Sequence, residues 1–287
     1  MILITGASGN VGKEVLKQIA QTGERIRAAF QSSSKVTAPE GVEIAIVDFN
    51  QPDTLRAALK DVDRVFLVGP PTAELPALER KAVDVIAQLG VRRLVKLSAM
   101  GGREAIFPRQ HAESEDYIVS SKVRYTFLRP NGFMQNIVHY NAATINTQNA
   151  FYGTEGDGRV SQIDIRNIAA VAVKVLTEDE HEGKAYTLTG PQALNNVEVA
   201  QLLSDVIGRE IRFINLPVVE LKNALLTGGV PDWSANALLD LQRLYREGKA
   251  AVITSDVEQI LGRKPTDFRK FLEDYRDAFQ ARGQAVI

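Results

Sequence analysis

The chain has 287 residues, a formal net charge of −1 at pH 7 and no cysteine. A chain of this length can bury a large core, and its balanced charge gives no broad attraction for nucleic acid or for an anionic membrane. The lack of cysteine excludes disulfides and thiol catalysis, and the three histidines, at positions 111, 139 and 181, do not have the spacing of a zinc site. No apolar stretch has the length of a membrane span, and an apolar run begins at residue 2, which leaves no room for a signal peptide, so we expect a cytoplasmic protein.

The first twelve residues, MILITGASGNVG, predict a strand, a tight turn and the start of a helix. Gly6 allows a sharp turn, Gly9 lets a pyrophosphate approach the backbone, and Gly12 lets the helix pack on the strand. The unpaired N–H groups at the start of the helix then attract anionic oxygens. This pattern predicts a dinucleotide site whose contacts in the turn are Thr5, Gly6, Ser8, Gly9, Asn10, Val11 and Gly12.

A second strand is predicted from Arg25 to Phe30, and the residues just after it select the dinucleotide. An NAD enzyme usually has Asp or Glu there, which binds the ribose 2′-hydroxyl. This chain has QSSSK instead, and we predict that Gln31, Ser32 and Lys35 contact the cofactor. Three hydroxyls and a lysine without a carboxylate favour NADP (NADPH) over NAD. A polar loop with no role in binding is the alternative for Lys35.

Strands alternate with helices through the next hundred residues. The further strands are predicted at Val42–Val47, Arg64–Val68, Arg92–Leu97 and Arg124–Leu128. This alternation predicts an α/β fold, a Rossmann-type doubly wound parallel sheet that binds its ligand at the carboxyl ends of the strands. The cofactor contacts predicted at those ends are Asp48, Phe49, Val68, Gly69, Pro70 and Ser98. Asp48 is expected either to bind the adenine amino group or to cap the next helix.

Beyond about residue 150 the pattern changes to shorter strands and longer helices. Strands are predicted at Arg159–Ile163, Lys184–Leu188 and Ile211–Asn215, with helices at Arg166–Leu176 and Asn196–Ile207. We therefore predict a dinucleotide-binding domain at residues 1–150 and a smaller, mostly helical substrate lobe at residues 151–287 that closes one side of the cleft. This boundary is approximate, and elements can cross back over it.

Four segments carry a family resemblance. They are TGASGNVG at 5–12, DFNQP at 48–52, YTFLR at 125–129 with Phe133 and Asn136, and GKAYTLTG at 183–190. With these segments in this order, the chain resembles the NmrA-like group of atypical short-chain dehydrogenases, closest to the branch of triphenylmethane dye reductases and NADPH-dependent quinone reductases. The resemblance implies an NAD(P)H-dependent oxidoreductase that passes hydride to a quinone, azo or related conjugated acceptor. It also implies the alternative of a non-catalytic NAD(P)-sensing regulatory protein.

The chain departs at two places from the pattern of the proteins that it resembles. Gln31 stands where the family commonly has an arginine for the 2′-phosphate. The Tyr-x-x-x-Lys pair of the wider superfamily is missing, because Tyr117 is followed four residues later by Ser121. Tyr245 and Lys249 have that spacing but lie far along the second lobe, where chance explains them best. Loss of the pair argues against alcohol or sugar-nucleotide chemistry and disfavours an isomerase or dehydratase.

The resemblance identifies His111 with the histidine that dye and quinone reductases have on this helix. We predict that it is catalytic, donating a proton or a hydrogen bond to the acceptor, with Glu115 orienting the imidazole. The alternative is that His111 and Glu115 form an exposed pair on the helix without a catalytic role. A small aromatic or quinone-like molecule is the expected partner, without nucleic acid or membrane, and the oligomeric state is not predicted. The expected acceptor contacts, each of which also suits a core, are Met100, Phe133, Tyr152 and Trp233.

Overall fold

The computed structural model describes residues 1–33 and 36–280. Contacts divide this part of the chain into two compact units. Unit 1 contains Met1–Pro130, Ile165–Leu188 and Asp256–Arg263, and unit 2 contains Asn131–Asp164, Thr189–Ser255 and the described part of Lys264–Ile287. Two segments from beyond residue 150 thus belong to the unit that contains the glycine turn.

The described residues form strands and helices with the following bounds. The strands are β1 (Ile2–Ile4), β2 (Ile26–Phe30), β3 (Glu43–Ile46), β4 (Arg64–Leu67), β5 (Arg93–Leu97), β6 (Tyr125–Pro130), β7 (Ala150–Gly153), β8 (Lys184–Leu188) and β9 (Arg212–Asn215). The α-helices are α1 (Asn10–Ile19), α2 (Pro52–Ala58), α3 (Leu75–Gln88), α4 (Ile106–Ser120), α5 (Ala142–Gln148), α6 (Ile165–Thr177), α7 (Asn196–Ile207), α8 (Val218–Thr227), α9 (Asp232–Arg246), α10 (Asp256–Leu261) and α11 (Phe268–Asp274). A π-helical turn, Ile137–Asn141, precedes α5.

Unit 1 is built on a seven-stranded parallel sheet in the order β3-β2-β1-β4-β5-β6-β8. The chain winds outward from β1 to β3 in one direction and from β4 to β8 in the other, so the strand order reverses between β1 and β4. Ligands of such sheets bind at this reversal, outside the carboxyl ends of the strands. The predicted Rossmann-type fold is confirmed.

Two helical layers cover the sheet of unit 1. On one face α1 packs against α6, and α6 also contacts α10 and the central strands. Apolar side chains from α2, α3 and α4 meet the other face in one core cluster that includes Leu55, Val83 and Ile118, together with Leu94 of β5 and Phe127 of β6. Since side chains alternate along a strand, Lys96 shares the face of Leu94 and points toward α3 and α4.

Two strands predicted for the second half of the chain have different outcomes. The predicted strand Lys184–Leu188 exists as β8, but it joins the sheet of unit 1 by pairing with β6 from Thr126 to Pro130. The predicted strand Arg159–Ile163 is absent from the described structure. Val160 and Ile163 form only single bridges, to Leu194 and Phe133, and because these partners lie in different segments no ladder extends between them.

Unit 2 has a small parallel pair, β7 with β9, and a core of its own. The helix predicted at Asn196–Ile207 is α7, which begins with a capping box between Asn195 and Glu198. The buried cluster of this unit consists of Met134, Ile137, Ile145, Phe151, Val199, Ala200, Leu203, Val206, Ile211, Phe268, Phe271, Leu272 and Phe279. In the part of the chain that the structure describes, no helix is long and apolar enough to cross a membrane.

Candidate active site

The glycine turn after β1 is built so tightly that side chains are excluded from it. Gly6 has φ of +62°, and a Cβ there would lie 2.9 Å from Val68 Cβ, across the reversal between β1 and β4. A Cβ on Gly12 would lie 2.1 Å from the Gly6 carbonyl oxygen. The two glycines let α1 and β4 approach the turn closely, and this leaves the backbone open to a ligand.

The start of α1 suits a pyrophosphate. Gly9 is the N-cap residue, no side chain caps the helix, and its first turn contains no acidic residue. Gly9 and Asn10 are exposed and Ser8 is half-buried, whereas Val11 is buried in the core. Backbone N–H groups here are available to anionic oxygens, and no carboxylate in the first turn repels them. The residues therefore fit the diphosphate of a dinucleotide.

Thr5 braces the turn. Its Oγ1 lies 3.1 Å from the carbonyl oxygens of both Phe66 and Val68, and it accepts a hydrogen bond from the Val68 N–H at 2.7 Å. The buried hydroxyl thus ties the end of β1 to the end of β4. Val68, Gly69 and Pro70, which follow β4, are half-buried at this edge of the sheet.

The remaining predicted cofactor residues follow β2 and β3. Gln31 is exposed and Ser32 half-buried, and Lys35 lies outside the described residues. Asp48 does not cap α2, whose N-cap is Gln51. Instead its Oδ1 accepts from the Asn50 N–H at 2.9 Å and its Oδ2 from Gln51 Nε2 at 3.1 Å. Phe49 packs against the core of unit 1.

His111 belongs to a buried charged cluster at the carboxyl end of β5. Lys96, with no exposed surface, places its Nζ 2.8 and 2.6 Å from the two carboxylate oxygens of Glu79. The same Nζ is 3.2 Å from His111 Nδ1 and 3.3 Å from the Leu97 carbonyl oxygen. An ammonium group has only donors, so Nδ1 must be the acceptor and the imidazole proton is assigned to Nε2.

The cluster keeps His111 uncharged. Burial, and then the positive charge of Lys96, hold the pKa of His111 well below its usual range. Phe107, one turn earlier on α4, packs edge-on against the imidazole with ring centroids 4.7 Å apart. Within the described chain, Nε2 has no hydrogen-bond partner. A neutral imidazole held in this way offers its Nε2–H as a hydrogen-bond donor, as an electrophilic histidine does.

The prediction that Glu115 orients His111 is wrong. Glu115 accepts from Ser98 Oγ at 2.5 Å and from Arg129 at 2.5 and 3.0 Å. His111 and Glu115 share a face of α4, but their side chains reach different partners. Glu115 therefore links the end of β5 to β6, and the charged side chain that contacts His111 is Lys96. The Ser98 hydroxyl, predicted as a cofactor contact, is part of this link.

Two residues that the sequence reasoning missed, Lys96 and Glu79, had a visible signal. Lys96 interrupts the apolar run of a central parallel strand, RLVKL, where both faces are covered. Glu79 occupies the buried face of α3 beside Leu75, Leu78 and Ala82. Buried charges of opposite sign on neighbouring elements are expected to pair, because an unpaired charge is costly inside a protein.

The tyrosine and lysine positions support the loss of the superfamily dyad. Tyr117 donates a hydrogen bond to Asp84, which raises the pKa of the tyrosine. Burial raises the pKa of Tyr245 strongly, and Lys249 Nζ lies 3.0 Å from Glu247 Oε2. Tyr245 and Lys249 have the spacing of the dyad, but none of the described hydrogen bonds joins the two.

The predicted acceptor contacts lie in both units. Met100 is in unit 1, half-buried, with its N–H bonded to the Pro130 carbonyl at 3.0 Å. Phe133, Tyr152 and Trp233 are in unit 2 and half-buried, and Tyr152 OH donates to Gln148 at 2.6 Å. In the described structure no ring contact joins two of these three aromatic residues. Their role toward an acceptor stays a prediction.

A family of known proteins includes this chain. A family model described as NAD(P)H-binding matches residues 6–179, which include the glycine turn, β5 and His111. The chain belongs to this NAD(P)H-binding family. The match begins at Gly6, the first glycine of the turn.

Several relatives of this NAD(P)H-binding chain are named as reductases. The NAD(P)H azoreductase of Xenophilus azovorans is 33% identical over 286 residues, 98% of this chain and 100% of the relative. The (4-alkanoyl-5-oxo-2,5-dihydrofuran-3-yl)methyl phosphate reductase of Streptomyces griseus is 36% identical over 284 residues, 97% and 99% of the two chains. The crystal structure of the Citrobacter sp. triphenylmethane reductase complexed with NADP(H) has a TM-score of 0.87 at 26% identity, covering 96% of this chain and 99% of that one. The resemblance to NmrA-like reductases is confirmed, and the chain is an NAD(P)H-dependent reductase.

Proposed function

We propose that this reductase passes hydride from NADPH to a quinone, an azo compound or a related conjugated acceptor, and that His111 is its catalytic proton and hydrogen-bond donor. The observation that carries the proposal is the contact between Lys96 Nζ and His111 Nδ1, because it leaves the imidazole proton on Nε2. The azo, dihydrofuranone and triphenylmethane compounds in the names of the similar reductases support a conjugated acceptor.

The residues of the chain bind the cofactor and stabilise the charge that develops on the acceptor. Backbone groups of the turn from Gly6 to Gly12, with the start of α1, hold the diphosphate. The bound dinucleotide supplies the hydride. As hydride adds to one end of the conjugated system, an electron pair moves to its terminal oxygen or nitrogen, and His111 Nε2–H donates to that atom.

The preference for NADPH over NADH is part of the same proposal. Residues 31–33, which directly follow β2, contain no carboxylate that would repel a 2′-phosphate. Ser32 and Lys35 are the proposed phosphate contacts, and Gln31 precedes them in the chain. The hydroxyl and the ammonium group are both donors, as a phosphate requires.

Two variants of His111 test the donor. In His111→Asn the amide reaches the place of Nδ1, which keeps an acceptor for Lys96 but removes the Nε2 donor, whereas His111→Gln places an amide near Nε2. We expect His111→Asn to lower kcat by about 100-fold and His111→Gln to retain clearly more activity, since a positioned donor contributes roughly 100-fold or more. NADPH affinity, measured by fluorescence titration, stays unchanged in both variants.

The assay follows nicotinamide absorbance with a panel of quinones, azo dyes and triphenylmethane dyes. Turnover of at least one class is expected. Binding of NADPH without turnover of any acceptor would contradict the proposal and favour the alternative role as a dinucleotide sensor. An unchanged kcat in His111→Asn would remove His111 from the mechanism while leaving the acceptor class intact.

A further inference from the structure

We propose that Lys96 is a positioning residue of this reductase, which holds His111 as its Nε2–H tautomer and returns a proton to the imidazole through Nδ1. This inference rests on the proposed role of His111 as the donor to the acceptor. It adds Lys96, with Glu79 behind it, to the residues on which proton delivery depends.

The geometry of Lys96 allows one tautomer of His111. Its three N–H bonds are directed at the Glu79 carboxylate, at the Leu97 carbonyl oxygen 3.3 Å away and at His111 Nδ1 3.2 Å away. A proton on Nδ1 would face the N–H bonds of Lys96 and leave a buried donor without an acceptor. Lys96 thus contacts Nδ1 of the imidazole from β5, and Nε2 stays available to the acceptor.

Stability alone gives a poor account of this ion pair. Moving both charges out of water is costly for each ion, and well-packed apolar residues of similar volume are often as stabilising or more so. Lys96 and Glu79 have side chains that are 0% and 1% exposed, so each bears nearly the full desolvation cost. Apolar residues in their place could not donate a proton to Nδ1 of His111.

The cluster lies beside the predicted cofactor contacts at the end of β4. A Cβ on Gly69 would come within 2.9 Å of Glu79 Oε1, so the carboxylate packs directly against the backbone of that residue. Lys96 precedes Ser98 by two residues at the end of β5. The ion pair is therefore adjacent to the edge of the sheet where the dinucleotide is expected to bind.

Reduction of the acceptor requires one hydride and one proton. The established activity provides a hydride, which adds two electrons and one hydrogen to the acceptor. The Nε2–H bond of His111 breaks and its proton goes to the acceptor heteroatom, while an N–H bond of Lys96 breaks and its proton goes to Nδ1. The imidazole stays neutral, Lys96 becomes an amine and Glu79 stays a carboxylate. After product release, Nε2 takes up one proton from the bulk solvent and the Nδ1 proton returns to Lys96, so each turnover consumes one hydride and one solvent proton.

Charged groups around the imidazole are few in the described structure. Lys96 approaches from β5 and Glu79 stands behind it on α3, while Phe107 covers the ring from α4 itself. Glu115 lies one turn further along α4, but its oxygens are engaged by Ser98 and Arg129. A change in the state of His111 on removal of the ion pair therefore reports on the pair, of which Lys96 is the member that contacts the imidazole.

The experiment compares two double variants with the wild type. Lys96→Met/Glu79→Gln removes both charges, because Lys96→Met alone would leave a buried carboxylate unpaired and endanger folding. Arg64→Met/Glu24→Gln is the control, since it removes a partly buried ion pair of 2.6 Å, with side chains 11% and 28% exposed, from the opposite end of the sheet. Imidazole nitrogens are observed by NMR after labelling with ¹⁵N-histidine, and the signals of His111 are assigned by their loss in His111→Asn.

The wild type and the Arg64 control are expected to show Nε2 protonated and Nδ1 unprotonated. In Lys96→Met/Glu79→Gln this single tautomer is lost, and kcat falls by about tenfold or more while NADPH affinity is retained, because a positioned donor is worth about 100-fold or more. A wild type with the proton on Nδ1, or an unchanged tautomer and kcat in the double variant, would overturn the role of Lys96. A wild type that reduces no acceptor would instead overturn the proposed function, whatever the tautomer.

Discussion

The carbonyl oxygen of Gly6 lies 2.1 Å from the place that a Cβ would occupy on Gly12. Because the obstacle is backbone, it cannot rotate away as a side chain would, so an added methyl group must displace α1 or open the turn. The same displacement moves the N–H groups proposed to bind the diphosphate. This single contact links the packing of the fold to cofactor affinity.

Gly12→Ala is therefore expected to weaken NADPH binding by at least about tenfold and to cost roughly 1–3 kcal/mol of unfolding free energy, as overpacking does. Fluorescence titration and urea unfolding measure the two effects. Gly9→Ala is the comparison with a smaller steric overlap, because its Cβ would lie 3.3 Å from the same oxygen. Equal stability of the two variants would contradict the packing argument.

Gln31→Asp tests the cofactor preference. A carboxylate at this position would repel the 2′-phosphate of NADPH and accept from the ribose hydroxyls of NADH. We expect the affinity for NADPH to fall by about tenfold or more, with unchanged or improved affinity for NADH, since each factor of ten corresponds to about 1.4 kcal/mol. Titration of both cofactors against the wild type and Gln31→Asn separates charge from shape. A parallel loss for the two cofactors would count against a 2′-phosphate site here.

The link between β5 and β6 gives a prediction about stability. Arg129→Met leaves Glu115 nearly buried without its charged partner, so we expect a loss of about 1–3 kcal/mol, reduced from the fully buried case because Arg129 is 39% exposed. Arg103→Met is the control, because the ion pair of Arg103 with Asp116 is exposed and contributes at most about 1 kcal/mol. Urea unfolding at neutral pH compares the variants, and a larger loss in Arg103→Met would be inconsistent with this reasoning.

Glu155 in unit 2 should make stability depend on pH. Burial raises the pKa of its carboxyl, and Oε2 is buried without a partner in the described structure. A raised pKa in the folded state means that the protonated form is favoured by folding, so its contribution is full below about 4.3, the unfolded value, and is lost as pH rises through the folded pKa. Glu155→Gln should thus gain stability relative to the wild type at pH 8, by about 1.4 kcal/mol for each unit of the shift, and little at pH 4. Unfolding curves of both proteins at pH 4 and pH 8 test this prediction. If the difference in stability between Glu155→Gln and the wild type is the same at both pH values, titration of Glu155 is not its cause.

Local patterns predicted the first half of the fold well. The strand, glycine turn and helix at the N-terminus, and the alternation that follows, depend on neighbours within a few residues, and the sheet formed as expected. The strand β8 has the same kind of local pattern, but its partner β6 is nearly sixty positions earlier in the chain. Periodicity identifies a strand without naming the strand that it pairs with, so its place in the sheet of unit 1 was not predicted.

The candidate site, like the fold, was predicted from the sequence only in part. By itself the sequence determined the dinucleotide turn, the missing carboxylate after β2 and the position of His111 on its helix, because each is a matter of residue type at a fixed spacing. Only the tertiary structure decided which charge orients the imidazole. Lys96 and His111 are 15 residues apart on β5 and α4, and Glu79 is 17 residues before Lys96 on α3. Helical spacing placed Glu115 on the same face of α4 as His111 and so predicted that Glu115 orients the imidazole. The packing of α3 and α4 on β5 instead brings Lys96 into contact with His111.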